Sequence, residues 1–221
     1  MPHFASLLTA GPPTVQWEKE MKLFYAPGAC SLSPHIVLNE LGLPYTVEKV
    51  DLKNHTTASG ADFYTINAKG YVPALQLDNG EVLTEGPAIV QYLADQKPQA
   101  DLLPPAGSLE RARVQEWLNF IGTELHKTLG ALFNPSISAE ARAKTIDTFG
   151  KRLGIVEKAL QGKDFLIGKS FSVADAYLFT IVNWAPKLNI DISPWPTVAE
   201  FQKRVASRPA VQKTLKAEGL V

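Results

Sequence analysis

Residues 22–41 read KLFYAPGACSLSPHIVLNEL, and the fold turns on how this stretch is parsed. Leu23-Phe24-Tyr25 is a short apolar run with the look of a buried strand, and the chain then breaks at Ala26-Pro27-Gly28-Ala29. Cys30, the one cysteine in the chain, follows directly. Ser33 suits a helix N-cap and Pro34 a first helical position. Ile36, Val37, Leu38 and Leu41 then fall at helical spacing. A lone thiol thus lies between a strand end and a helix start, where backbone N–H groups and the helix dipole can lower its pKa. The same residue also reads as a small buried hydrophobe, a common fate of free cysteine.

Gly42 and Pro44 stop that helix, and Tyr45 to Leu52 alternates as a strand does. Strand, helix and strand with so short a crossover make a right-handed parallel βαβ unit. Lys53 to Gly60 reads as a surface loop, and Asp62-Phe63-Tyr64 as a helical turn ended by Asn67-Ala68-Lys69-Gly70. Leu75 and Leu77 mark a strand entered through Pro73, Asp78-Asn79-Gly80 is a hairpin turn, and Val82-Leu83 returns. The Val72–Pro73 bond is expected to be cis, leaving the Val72 backbone open to pair with a bound peptide. Thr84-Glu85-Gly86-Pro87 passes straight into a second helix, whose N-terminus is a ready carboxylate site with Glu85 beside it to accept from an ammonium group. A helix-start charge favoured by the dipole is the plainer account of Glu85.

Residues 101–107, rich in Pro, Gly and Ala, form a linker between 21–100 and 108–221. Beyond it the pattern is helical only, over Ser108–Leu132, Ala139–Leu160, Val173–Lys187, Val198–Ser207 and Pro209–Glu218. Ser172-Val173-Ala174-Asp175 is a capping box, which makes Asp175 a structural residue. Asn119, Thr123 and His126 are spaced to share one helix face, either as a solvated stripe or as a polar wall facing the thiol.

The chain has 221 residues, with 22 basic and 22 acidic side chains and therefore no formal net charge. That balance argues against a nucleic-acid or polybasic membrane partner. One cysteine excludes an internal disulfide framework and a cysteine metal cluster, and no metal site is expected. No apolar run is long enough for a bilayer, so no membrane partner and a cytoplasmic location are expected. Residues 1–20 lack the charged and apolar regions of a secretory signal and read as a disordered or loosely packed extension.

Taken together, MKLFYAPGACSLSPHI, NAKGYVPAL, LTEGPAIVQYLAD, EWLNFIGTELHK and FSVADAYLF with its following WAP resemble the glutathione transferases, specifically the bacterial beta class. The resemblance spans Met21 to Val221. It implies a thioredoxin-like α/β first domain with a mixed four-stranded sheet and an all-α second domain, assembled as a homodimer. Glutathione, a co-substrate with no further cofactor, would lie between the domains. Cys30 would contact its sulfur, and Val72 would pair with its cysteinyl unit. Glu85 and Gly86 would hold its γ-glutamyl end, the latter at a position that is serine in some relatives. Asn119, Thr123 and His126 would face it from the helical domain. His55 stands where beta-class members often have a lysine for the glycyl carboxylate. The implied activity is conjugation of the glutathione thiolate to small hydrophobic electrophiles in detoxification, with thiol–disulfide exchange or peroxidase chemistry as a sideline. Donors at the first helix start and a nearby His126 would keep the thiol ionised. Trp184, Phe133 and Tyr177 are candidates for the electrophile pocket, and Tyr25 and Ser31 are rivals for stabilising the thiolate. A non-catalytic protein that sequesters glutathione or hydrophobic ligands, and a monothiol glutaredoxin-like reductase, stay open on these residues.

Overall fold

In the computed structural model, which describes residues 20–221, strands and helices alternate up to Asp95 and helices alone follow. The expectation for residues 1–20 lies, Glu20 apart, outside the described residues. β1 (Met21–Tyr25), α1 (Leu32–Leu41) and β2 (Tyr45–Asp51) form the βαβ unit, with β1 and β2 parallel and Leu23 opposite Val47. β3 is Thr56–Thr57, and β4 (Ala74–Gln76) and β5 (Val82–Thr84) are the hairpin around Asp78-Asn79-Gly80. The sheet order is β3-β2-β1-β4-β5 and every pairing except β1–β2 is antiparallel.

The sheet is therefore mixed, as expected, but carries a fifth strand. Thr56 and Thr57 pair with Asp51 and Val50 inside the stretch read as a loop. Two polar residues have no period to detect. The start of α1 also differs. Leu32 is fully buried and already helical, so Ser31 takes the N-cap place, and Ser33 and Pro34 fall within the first turn. Proline is tolerated there because the first N–H groups of a helix have no intrahelical acceptor.

α2 (Gly86–Asp95) covers the same sheet face as α1, with Ile89, Val90 and Leu93 fully buried against Leu23, Ile36 and Val37. Each such side chain contributes roughly 1.5–3 kcal/mol of burial. The helical part comprises α3 (Leu109–Phe120), α4 (Lys127–Ala131), α5 (Ala139–Leu160), α6 (Val173–Val182), α7 (Pro196–Ala206) and α8 (Pro209–Ala217). α6 is buried on every side, as its near-continuous apolar sequence VADAYLFTIV requires. It ends before the expected Lys187, because Pro186 cannot continue a helix and opens a 3-10 turn at Pro186–Leu188.

Ser108–Leu132 was read as one α-helix. Between α3 and α4, however, Ile121–His126 is a π-helical turn, tied to α5 by an Arg152–Glu124 ion pair at 2.7 Å. π turns favour functional sites, and six residues give no separate period from which to read one.

Candidate active site between the two domains

The break after β1 is closed by Ser31, whose hydroxyl accepts from the Ala26 amide at 3.2 Å and donates to its carbonyl at 3.3 Å. Buried and doubly engaged, Ser31 shapes the loop that delivers Cys30. The chain's far end holds that loop too. Glu218 accepts from the Gly28 amide at 2.8 Å and pairs with His35 Nδ1 at 2.7 Å, while Trp184 Nε1 donates to the Gly28 carbonyl at 2.8 Å. Gly28 has φ 68°, and a Cβ there would meet Lys187 Nζ at 2.5 Å. Glycine is favoured at that point by the positive φ, while the Lys187 ammonium, at the end of a flexible side chain, could move aside.

Cys30 Sγ donates to the carbonyl of Val72 at 3.1 Å, across the cis Val72–Pro73 peptide. The amides of Cys30 and Ser31 do pull the thiol pKa down, as a helix start should. Burial works against them and prevails, and the thiol is pushed up to about 12. The lowering expected from the helix start is thus present but outweighed, and the surroundings of Cys30 keep it a neutral hydrogen-bond donor.

On the opposite wall, burial lowers His126 to about 4, so its ring is neutral at neutral pH. Its Nδ1 lies 2.6 Å from the Tyr177 hydroxyl. Tyr177 is itself raised well above its usual range by burial, with Cys30 and Glu85 adding to the effect. The phenol therefore keeps its proton. Nδ1 is its one acceptor among the described residues, which puts the imidazole proton on Nε2. The neutral His126 ring thus has its Nε2–H available to donate to a ligand.

These groups share one cavity of about 640 Å³, within the usual range for a small-ligand site. Cys30, Val72, Glu85, Gly86, Asn119, Thr123 and His126 all line it, with Tyr177 and Lys127. His55 does not. Its Nδ1 is 2.9 Å from the Gly70 carbonyl and its ring lies 4.5 Å from that of Tyr64, so it braces the following turn outside the cavity lining. Phe133 and Trp184 are also absent from the lining. Trp184 is buried, its ring against His126 and Phe133, and only Tyr177 of the pocket candidates reaches the cavity. Tyr25 packs edge-on against His35, as its place in an apolar run implies. Asp175 is fully buried, accepting from Ser172 and from the Leu166 amide at 2.8 Å. Burial raises it to about 6, and its role is to fasten α6.

Three contributors escaped the sequence reading. Tyr71 and Lys69 both reach Glu85, at 3.1 and 2.5 Å, and Lys127 adds a cation to the cavity wall. Lys69 and Tyr71 lie within NAKGYVPAL and Lys127 follows His126, so adjacency to motif residues was the available signal.

A thiol at a strand-to-helix break, facing a polar helix across an interdomain cavity, defines a two-domain thiol-handling protein. Residues 28–96 match the N-terminal and 120–209 the C-terminal domain model of the glutathione S-transferases. The chain is 46% identical over 200 residues to the glutathione S-transferase GstA of Escherichia coli, covering 90% of this chain and all of that one. The structure of a bacterial beta-class glutathione S-transferase from Sphingomonas chungbukensis superposes with a TM-score of 0.88 at 48% identity, over 90% of this chain and all of that one. A sphingomonad glutathione S-transferase solved with glutathione gives 0.87 at 46%, with the same coverage. The chain belongs to the glutathione S-transferase family, in its bacterial beta class.

Proposed function

We propose that the cavity binds glutathione and conjugates its sulfur to small hydrophobic electrophiles. The observation that carries this reading is the thiol of Cys30 held on the Val72 carbonyl with His126 Nε2–H on the facing wall. A sulfur placed between them meets the His126 Nε2–H donor and, once the single Cys30 S–H turns from the Val72 carbonyl towards it, a second neutral donor. Such donors stabilise a thiolate more than a thiol and so lower its pKa. Cys30 and His126 are the catalytic residues in this reading. The γ-glutamyl ammonium goes to Glu85, whose carboxyl is held low chiefly by the Lys69 hydrogen bond. The α-carboxylate goes to the amides at the α2 N-terminus around Gly86. Val72 pairs with the cysteinyl backbone, and Asn119 and Thr123 supply polar contacts from α3 and the π turn. The apolar surface near Leu118, Gly122, Gly130 and Tyr177 receives the electrophile.

The neutral Cys30 favours conjugation over disulfide exchange, because exchange needs a thiolate. A glutathione-bound relative supports the ligand, and family membership supports catalysis over mere sequestration. No helix among the described residues is long and apolar enough to cross a membrane. We place the enzyme in the cytoplasm, as a homodimer serving detoxification. Conjugation of a chloronitrobenzene with glutathione, assayed beside reduction of a glutathione mixed disulfide, tests the reading. Conjugation should dominate, and a protein that binds glutathione without either activity would refute it.

A further inference from the structure

Glu85 lies on the rim of the cavity with a backbone φ of 70°, a strained value for a residue with a Cβ. Its Oε1 accepts from Lys69 Nζ at 2.5 Å and from the Tyr71 hydroxyl at 3.1 Å. Lys69 Nζ also donates to Thr84 Oγ1 at 2.9 Å. The turn that carries this lysine is fixed by its own bonds. Asn67 Nδ2 donates to the Tyr71 carbonyl at 2.7 Å, and the Lys69 amide donates to Asn67 Oδ1 at 3.1 Å. Gly70, at φ 71°, sits so close under Tyr64 that a Cβ would meet its ring at 2.5 Å. Backbone movement is thereby restricted. The lysine side chain, 44% exposed, is free to leave.

We propose that Lys69 is an internal counter-cation: its ammonium already neutralises, through Oε1, the Glu85 carboxylate that a ligand ammonium takes, and it thereby sets how strongly the amino end of the ligand is selected. The inference rests on the glutathione reading. Two ammonium groups on one carboxylate repel each other, so an arriving amine must displace Lys69 or share the charge with it. An exposed pair is weak, amounting to a factor of about two to five in an equilibrium constant, and a ligand with several further contacts can overcome it. Lys69 is then a specificity-determining residue, acting on the amine through Glu85.

The test compares glutathione with N-acetylglutathione, which keeps both carboxylates and the thiol but has no ammonium. Calorimetric Kd values for both ligands are measured on the wild type, Lys69→Met and Lys69→Arg. The quantity read is the ratio of the N-acetylglutathione Kd to the glutathione Kd, in which any general effect of the lysine charge on the ligand carboxylates cancels. It should rise about two- to fivefold in Lys69→Met, where the competitor is gone. It should fall below wild type in Lys69→Arg, whose planar fork grips a carboxylate more firmly. An unchanged or reduced ratio in Lys69→Met overturns the inference while leaving the site assignment standing. Failure of the wild type to bind glutathione at all overturns both.

Discussion

Glu218 Oε2 accepts the backbone amide of Gly28 at 2.8 Å, so an acid just beyond α8 fixes the loop from which Cys30 projects. Its other oxygen holds His35, whose Nε2 is 3.1 Å from the Tyr45 hydroxyl. The side chains of Glu218 and His35 are almost wholly buried, at 0% and 2% exposure, so water cannot replace a lost partner.

Glu218→Ala should therefore orphan two buried groups, the Gly28 amide and His35. Each orphan costs about 1–3 kcal/mol. At roughly 2–4 °C per kcal/mol for a chain of this size, the melting temperature should drop by about 4–24 °C. The loosened Gly28 should also raise KM for glutathione. Glu218→Gln, which keeps one acceptor, should lose about half as much. Thermal denaturation followed by circular dichroism reads this directly, and an unchanged midpoint in Glu218→Ala would show that the network contributes nothing.

The pKa of Cys30, near 12, makes its unliganded form a poor nucleophile. Iodoacetamide at pH 7.5 should alkylate it about fifty- to a hundredfold more slowly than a free thiol, after allowing for the greater nucleophilicity of a more basic thiolate. Cys30→Ala should abolish disulfide exchange and only partly reduce conjugation, since His126 remains a donor. Alkylation at the rate of free cysteine would show that burial does not suppress ionisation.

The contrast between Cys30 and His55 shows what the sequence could reveal. Short motifs with a local mechanism were legible: the thiol at a helix start, the Val-Pro turn, the Glu-Gly helix entry and the polar face ending in His126. Their residues line one cavity although they are far apart in the chain. The α/β division, the capping box at Ser172 and helix α5 (Ala139–Leu160) follow from periodicity and cap chemistry in the same way. Properties that depend on three-dimensional neighbours were hidden. The sign of the Cys30 pKa is set by how much apolar matter surrounds it, and His55 is claimed by the Gly70 carbonyl and Tyr64. The Glu218–Gly28 bond joins residues 190 apart, and no local pattern announces it.

Gly86 opens α2 on the cavity wall, and a Cβ there would find Pro73 Cγ at 3.8 Å, an ordinary contact. The position has room for a side chain. Gly86→Ser should place a hydroxyl among the helix-start amides and tighten glutathione binding about two- to tenfold, the net worth of one ordinary hydrogen bond. Gly86→Ala fills the same space without a donor and should leave Kd within about twofold of wild type. Equal effects of the two substitutions, measured by calorimetry, would assign any gain to packing and not to the hydroxyl.

The hydroxyl of Tyr177 fixes the His126 tautomer, so removing it should cost activity without altering the fold. In Tyr177→Phe the Nδ1 acceptor loses its donor and the imidazole proton is free to redistribute between the two nitrogens. The turnover number for conjugation should fall about two- to twelvefold, the loss of one neutral hydrogen bond. KM for glutathione should stay close to wild type, because Glu85 and the α2 amides are untouched. A loss confined to KM would place Tyr177 in binding.

Burial also makes His126 a source of acid sensitivity. Its folded-state pKa is about 4, below the unfolded value near 6.5. Between these values the unfolded chain binds more protons, so the contribution of His126 to stability is fully present above pH 6.5 and is lost as pH falls towards 4. The loss amounts to at most roughly 3 kcal/mol, at 1.36 kcal/mol per tenfold change. The asparagine in His126→Asn can still hydrogen-bond and does not titrate. Denaturant unfolding of both proteins from pH 7.5 to 4.5 should show the wild type losing stability faster than the variant by about 2 kcal/mol. The conjugation profile of the wild type should contain no limb from His126 between pH 6 and 8, where the ring is uncharged throughout. A stability difference that stays constant over that range would mean that the ring is not desolvated in the folded protein. His126 would then be free to carry a charge beside the ligand sulfur at neutral pH, and the neutral-donor account of the site would have to be abandoned.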